Sequence, residues 1–384
     1  METRQVRRKI CLVVSSELTI KAFLLDHIAA LSRKHDVTVM ANTKNFDFLG
    51  SFNLPVSGVF NGIERKISPW RDFGALVRLV LVFHKSRFDV VHSFTSKAGL
   101  LTMTAGLLTR MPIRIHTFTG QAWVTRFGLP RRFLKAMDWF IATAATHLLI
   151  DSPSQRDFLV SQGVIPDGKA CALVKGSISG VDTVRFSPNS ITRARIREQL
   201  GINESTIVFL FLARLTRDKG LLDLVRAFLA LCKLRDNVHL LIVGPDEENL
   251  SRQILILCQD CPDKITLLNF FTDAHEQYIM ASDILCLPSY REGFGSIIID
   301  AASVGIPAIG SRIYGITDAI EDNVTGLFHD VADVNSLYSK MLWLVDNPEL
   351  RKEMGANARM RAMRDFSKEK STNALMDYYA SLLQ

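Results

Sequence analysis

The chain has 384 residues, 48% of them hydrophobic and 22% charged, with a formal net charge of +7. That length exceeds what one core usually organises, so two domains are expected, and the lack of repeats or low-complexity tracts excludes a solenoid or a disordered chain. Six scattered cysteines exclude a disulfide scaffold, and the longest apolar runs, 73–83 and 139–150, fall short of the roughly 20 residues that span a bilayer.

The N-terminal METRQVRRKICLVVSS meets charge before a short apolar run, unlike a cleavable signal, so a cytoplasmic location is expected. Apolar runs at 9–16, 35–42, 88–94, 113–120 and 146–152 end in polar residues and read as buried strands, separated by helical periodicity such as 20–34. This βαβ rhythm predicts a parallel sheet with helices on both faces and ligands beyond the carboxyl ends of its strands. The basic stretch 126–140, with Trp139 and several Phe, admits two readings: an amphipathic segment on anionic lipid headgroups, or a helix with a solvated basic face. Nucleic acid is not an expected partner, because no binding motif accompanies the charge.

The rhythm pauses at 186–202, around Pro188 and Asn189, which places a linker there and divides the chain into domains at 1–187 and 188–366. A second series of strands follows at 205–214, 238–245, 265–270, 283–289, 307–311 and 326–330. The lone CxxC of Cys258 and Cys261 has no second pair or histidine cluster, so ordinary cysteines are expected. The last segment, 367–384, reads as an amphipathic helix that packs back on domain one. The fold expected is α/β: two doubly wound, Rossmann-like domains facing across a cleft.

One loop carries most of the chemistry. In YREGFGSIIID, residues 290–300, a strand gives way to a helix. Gly293 and Gly295 bare the backbone on either side of Phe294, and the amides at the helix start, from Ser296, suit a phosphate. Glu292 beside an anion site is electrostatically wrong unless it accepts hydrogen bonds from hydroxyl groups, and Asp300 lies about one turn inside the helix. Two acids flanking a phosphate cradle imply a sugar on each side of it, hence a nucleotide sugar. Arg214, at the end of the first strand of domain two, and Lys219, in the loop after it, supply a planar fork and a point charge for a diphosphate at the same sheet edge.

With these residues the sequence resembles the retaining glycosyltransferases of the GT-B fold, the large family four, particularly bacterial enzymes that build capsule, O-antigen or exopolysaccharide. The resemblance covers nearly the whole chain. It rests on the family's two glutamates separated by seven residues, matched by Glu292 and, with a change, Asp300, and on the following AASVGIPAIGSRIYGITDAIEDNVTGLFHD. It implies that Glu292 contacts the donor sugar, that Asp300 holds the ribose hydroxyls, directly or through water, and that Arg214 and Lys219 bind the diphosphate. His116, in IHTFTG, resembles the family's histidine near the transferred sugar. The family's glycine pair in the first loop is missing. Ser15, Ser16, Glu17 and Thr19 stand there and are expected to serve the acceptor, with His92 and Lys97 as further candidates and Thr119 as a neighbour.

Breaking the bond from sugar C1 to phosphate builds negative charge on the leaving diphosphate, which Arg214, Lys219 and the helix amides would receive. No DxD pair ends a strand, so no metal and no cofactor are expected. The partners expected are a nucleotide-sugar donor, with UDP as its nucleotide, and a polyprenyl-diphosphate-linked glycan acceptor at the cytoplasmic membrane face. Three rivals differ in a simple readout. An epimerase would convert donor with no acceptor present, a phosphorylase would break down glycan with phosphate, and a non-catalytic sugar-nucleotide-binding protein would tolerate Glu292→Gln.

Overall fold

The computed structural model describes residues 6–51, 54–64, 66–270 and 274–384. The first five residues of the segment read for targeting lie outside them. The chain forms two compact units, the first running to Ser179 and taking up Lys368–Gln384, the second Gly180–Ser367.

In unit one the parallel strands are β1 (Lys9–Val13), β2 (Asp36–Ala41), β3 (Ser57–Phe60), β4 (Val90–Phe94), β5 (Ile113–Phe118), β6 (His147–Ile150) and β7 (Ala170–Ala172), in the order β3-β2-β1-β4-β5-β6-β7. In unit two they are β8 (Ile207–Leu212), β9 (Val238–Val243), β10 (Ile265–Leu268), β11 (Ile284–Leu287), β12 (Ala308–Ser311) and β13 (Gly326–His329), in the order β10-β9-β8-β11-β12-β13. Every pairing is parallel, as the near-continuous apolar runs require for strands buried on both faces. Strand order reverses direction between β1 and β4 in one sheet and between β8 and β11 in the other. Such switch points open a crevice at the carboxyl ends of the two strands.

Two edge strands have no signal in the sequence: β3 is half exposed and holds Gly58 beneath the Phe46 ring, and β7 has only three residues. The periodic stretch 20–34 is not one helix, since Leu24 interrupts it between Glu17–Phe23 and Leu25–Lys34.

The changeover between units falls at Ser179/Gly180 rather than at 187/188. Val181 and Phe186 are buried in the unit-two core, and the arginine-rich helix Ser190–Gln199 is anchored there by Arg197. This guanidinium is almost fully buried, bonding the Asp283 carboxylate at 2.7 Å and the carbonyls of Ala281, Asn203, Glu204 and Thr206. A charge so far from water needs such a set of acceptors, and they tie the polar stretch 186–202 into the domain.

The helix Lys368–Leu382 is part of unit one. Its Tyr379 is fully buried with its hydroxyl 2.8 Å from His92 Nδ1, and Thr372 Oγ1 lies 3.1 Å from His27 Nδ1. No helix among the described residues is long and apolar enough to cross a membrane.

Candidate active site

The carboxyl edge of the unit-two sheet gathers the charged residues. Past the end of β8, a turn brings Lys219 to the loop that follows β11, where its ammonium makes a short ion pair with Glu292 Oε1. Ser289 donates to the same oxygen at 2.8 Å. Both members of the pair are largely enclosed, so the Coulomb attraction is weakly screened. The turn is fixed to the loop from behind: Tyr290 N–H donates to the Asp218 carbonyl at 2.8 Å, and Arg291 Nε to the Asp218 carboxylate at 2.8 Å. Arg214 is half exposed, and its guanidinium donates to Glu247 in the loop after β9 at 2.7 Å. Both cations thus follow β8, and each is already paired with a carboxylate from the loop after a neighbouring strand, Arg214 after β9 and Lys219 after β11.

Backbone, not side chain, forms the floor of this site. Gly295 has φ +81° and begins the helix Ser296–Val304, a conformation that L side chains rarely adopt. A Cβ at Gly315 would come within 2.6 Å of the Gly293 carbonyl oxygen, so the loop after β12 touches the Gly293–Gly295 backbone directly. Ser296 is half-buried at the first turn, where orphan N–H groups point outward. The Phe294 side chain does not join the site: it is buried with its ring 5.3 Å from that of Phe366, because the chain between the two glycines turns it into the core.

Asp300 lies on the same helix, with no hydrogen-bond partner among the described residues. Burial pushes its carboxyl up to about 8, against the opposing pull of Arg185, and Asp182 adds to the rise.

Unit one treats its candidates differently. His116 is not presented to solvent. It is fully buried, its Nδ1 2.9 Å from the Ser93 hydroxyl, its ring edge-on to Phe118, and its Nε2 without a partner among the described residues. Burial holds its pKa down at about 3, so the ring is neutral. A Cβ on Gly99 would sit 2.4 Å from His116 Cε1, which shows the ring wedged between β5 and the helix Ser96–Leu108. His92 is equally buried, held by Tyr379 and, at 2.7 Å, by Thr117. Both histidines sit within paired strands, where side chains project onto the sheet faces and not past its edge.

The residues at the end of β1 do reach the edge. Ser16 caps the helix Glu17–Phe23 by accepting from Leu18 N–H at 3.2 Å, Glu17 pairs with Lys21 at 2.7 Å, and Thr19 is half-buried in the first turn. Lys97 pairs with Asp72 at 2.6 Å and donates to the Lys66 carbonyl.

Sequence reasoning missed several participants. Ser289 and Asp218 gain their roles from contacts across the fold. Thr95 follows β4 with φ +69°, a conformation costly for a β-branched residue, and its hydroxyl lies 3.4 Å from that of Ser15. Only Gly315 had a local signal, as a glycine in a turn after a strand. Among the described residues no group of three or more His, Cys, Asp or Glu is placed to hold a metal ion.

Residues 192–361 match the family model for glycosyl transferases group 1, and residues 21–173 that for a glycosyl transferase 4-like domain. The capsular polysaccharide biosynthesis glycosyltransferase CapM of Staphylococcus aureus is 27% identical over 326 residues, 84% of either chain. The UDP-Gal:alpha-D-GlcNAc-diphosphoundecaprenol alpha-1,3-galactosyltransferase of Escherichia coli is 24% identical over 324 residues, 83% of this chain and 82% of that one. HepE of Anabaena, crystallised with UDP and glucose, is similar in fold with a TM-score of 0.81, at 16% identity over 98% of this chain and 100% of its own.

Proposed function

The chain belongs to the GT-B glycosyltransferases, and from that premise we propose that it moves a hexosyl or N-acetylhexosaminyl group from a UDP-sugar to a hydroxyl of a polyprenyl-diphosphate-linked glycan at the cytoplasmic membrane face, for a surface polysaccharide. The observation that carries this reading is the convergence of Lys219, Glu292 and Ser289 beside the bare backbone of Gly293 and Gly295. Support for donor and acceptor comes from the UDP held by HepE and from the diphosphoundecaprenol in the name of the Escherichia coli relative.

In this mechanism Arg214 and Lys219 receive the charge that builds on the leaving diphosphate, together with the N–H groups at the start of the helix Ser296–Val304. Fixed cations do the work that a divalent ion does elsewhere. Glu292 releases Lys219 to the diphosphate and accepts hydrogen bonds from the donor sugar. Asp300 takes the ribose hydroxyls. The acceptor hydroxyl attacks C1 from the face the diphosphate leaves and gives its proton to the departing diphosphate oxygen, which retains the anomeric configuration.

The test is a thermal-shift series with UDP-, GDP- and ADP-sugars, with and without EDTA. A ligand at about 100 times its dissociation constant adds roughly 2.7 kcal/mol to stability. UDP-sugars alone should raise the midpoint, equally with chelator, and Arg214→Ala or Lys219→Ala should abolish the rise. A shift that needs magnesium, a shift by another nucleotide series only, or an inverted product in the transfer assay would each overturn the corresponding part.

A further inference from the structure

Unit one carries an apolar surface that the transfer reaction leaves unused. In the helix Pro69–Ser86, Ala75, Leu79 and Phe83 face the core. Its opposite side should then be polar, but Trp70 is 88% exposed, Leu81 64% and Phe73 63%, with Val77 between them. At about 100° per residue these four form one stripe, and Arg71, Arg78 and Lys85, spaced by seven and all exposed, form a row along one flank of it. Arg71 also pairs with Glu64 at 2.5 Å, and Arg78 lies over the Phe60 ring.

A second helix repeats the pattern. Gly128–Ala144 buries Ile141 and Ala142 while Leu129, 76% exposed, and Phe133 point outward, preceded by Phe127 at 84%. Both helices belong to one layer. Cys11 pairs with Val91, Val91 with Arg114, and His116 with Leu148, so this set marks a single face of the sheet. The core of Pro69–Ser86 contains Cys11 and Val91, that of Gly128–Ala144 contains Leu148, and the helix Ser96–Leu108 packs between them, its last residues Leu107 and Leu108 exposed.

Large apolar side chains grouped in this way mark a surface that something covers. The charges choose the occupant. Asp72, the lone acid of Pro69–Ser86, turns aside to pair with Lys97, and Asp138, the lone acid of Gly128–Ala144, is buried, accepting from Trp123 Nε1 at 2.8 Å. Neither helix directs a free carboxylate outward, so a second copy laid on this face would set cations against cations. Acidic headgroups complement them, and acyl chains take the Trp and Leu side chains.

We propose that this layer lies in the plane of an anionic bilayer, with the helix Pro69–Ser86 as the inserting element and Arg71, Arg78 and Lys85 at headgroup level. The inference deepens the proposed use of a lipid-linked acceptor, yet its test needs neither donor nor acceptor. In flotation with vesicles of phosphatidylcholine mixed with phosphatidylglycerol, the full chain should bind, bind less at high salt, and ignore phosphatidylcholine alone. Trp70→Ser with Leu81→Ser should weaken binding by about tenfold or more, because two large side chains no longer enter the lipid. Arg71→Gln, Arg78→Gln and Lys85→Gln together should weaken it by about a hundredfold, at roughly fivefold per charge. All variants should keep the parent melting midpoint and its UDP-induced shift, so failure of the transferase reading would show in the shift and failure of this one in the flotation. Equal binding to both lipids, unchanged binding by either variant, or a dimer that Trp70→Ser with Leu81→Ser dissociates in the absence of vesicle binding would overturn the proposal.

Discussion

The two units share a parallel sheet with a switch point, yet they place their candidate groups in opposite ways. In unit two, Glu292 and Lys219 lie past the last paired residues of β11 and β8, where a side chain can leave the sheet edge and meet a ligand. In unit one, His92 and His116 lie inside the paired stretches of β4 and β5, under helices and at zero or near-zero exposure. A polar residue beyond the last ladder hydrogen bond is free of the pleat and can turn past the sheet edge. Inside the ladder its direction is fixed by the two-residue period, and whatever covers that face buries it.

The contrast can be broken experimentally. Glu292→Gln should have the largest effect on activity, lowering kcat/KM by about a hundredfold to a thousandfold, as for the loss of one group that stabilises a transition state, together with a drop in melting midpoint from the enclosed pair with Lys219 that it breaks. An unchanged kcat/KM in this variant would remove Glu292 from the catalytic machinery. Gly99→Ala should do the reverse, costing about 1–3 kcal/mol of stability in urea unfolding by pushing the His116 ring from its slot, while the UDP-induced thermal shift survives. If it abolished the shift at unchanged stability, His116 would belong to the donor site.

A third prediction concerns Asp300. Its carboxyl titrates near 8 when folded and near 3.8 when unfolded, so between about pH 4 and pH 8 the unfolded chain loses a proton that the folded one keeps. Stability should fall as pH rises through that window. Asp300→Asn should remove this part of the slope and be more stable than the parent at the upper end. Parallel slopes for parent and variant would mean that the carboxyl is ionised in the folded protein.

Much of the loop 290–300 was legible because its signals are local. The apolar run 283–289, the two glycines and the apolar periodicity of 297–304 each report a strand, a turn and a helix without reference to the rest of the chain. The place of the Phe294 ring had no such local signal: a position between two glycines does not say where its side chain packs, and this ring lies against Phe366, a residue far along the chain. The pairing of Lys219 with Glu292, the capture of Arg197 by Asp283 and the hold of Asp218 on Arg291 join residues that are distant in sequence, and no local pattern encodes them.

By itself, the sequence determined two series of βα repeats, parallel sheets, and a glycine-flanked acid at the carboxyl edge of the second sheet, because periodicity and turn chemistry act over a few residues. The tertiary structure decided which polar groups those sheets enclose. Coverage by the helix Ser96–Leu108 buried His116, and coverage by Lys368–Leu382 buried His92, because each helix packs onto the sheet face from which the ring projects. It also moved the unit boundary to Ser179/Gly180, where the gain from burying Val181 and Phe186 outweighs the polar composition of the residues that follow.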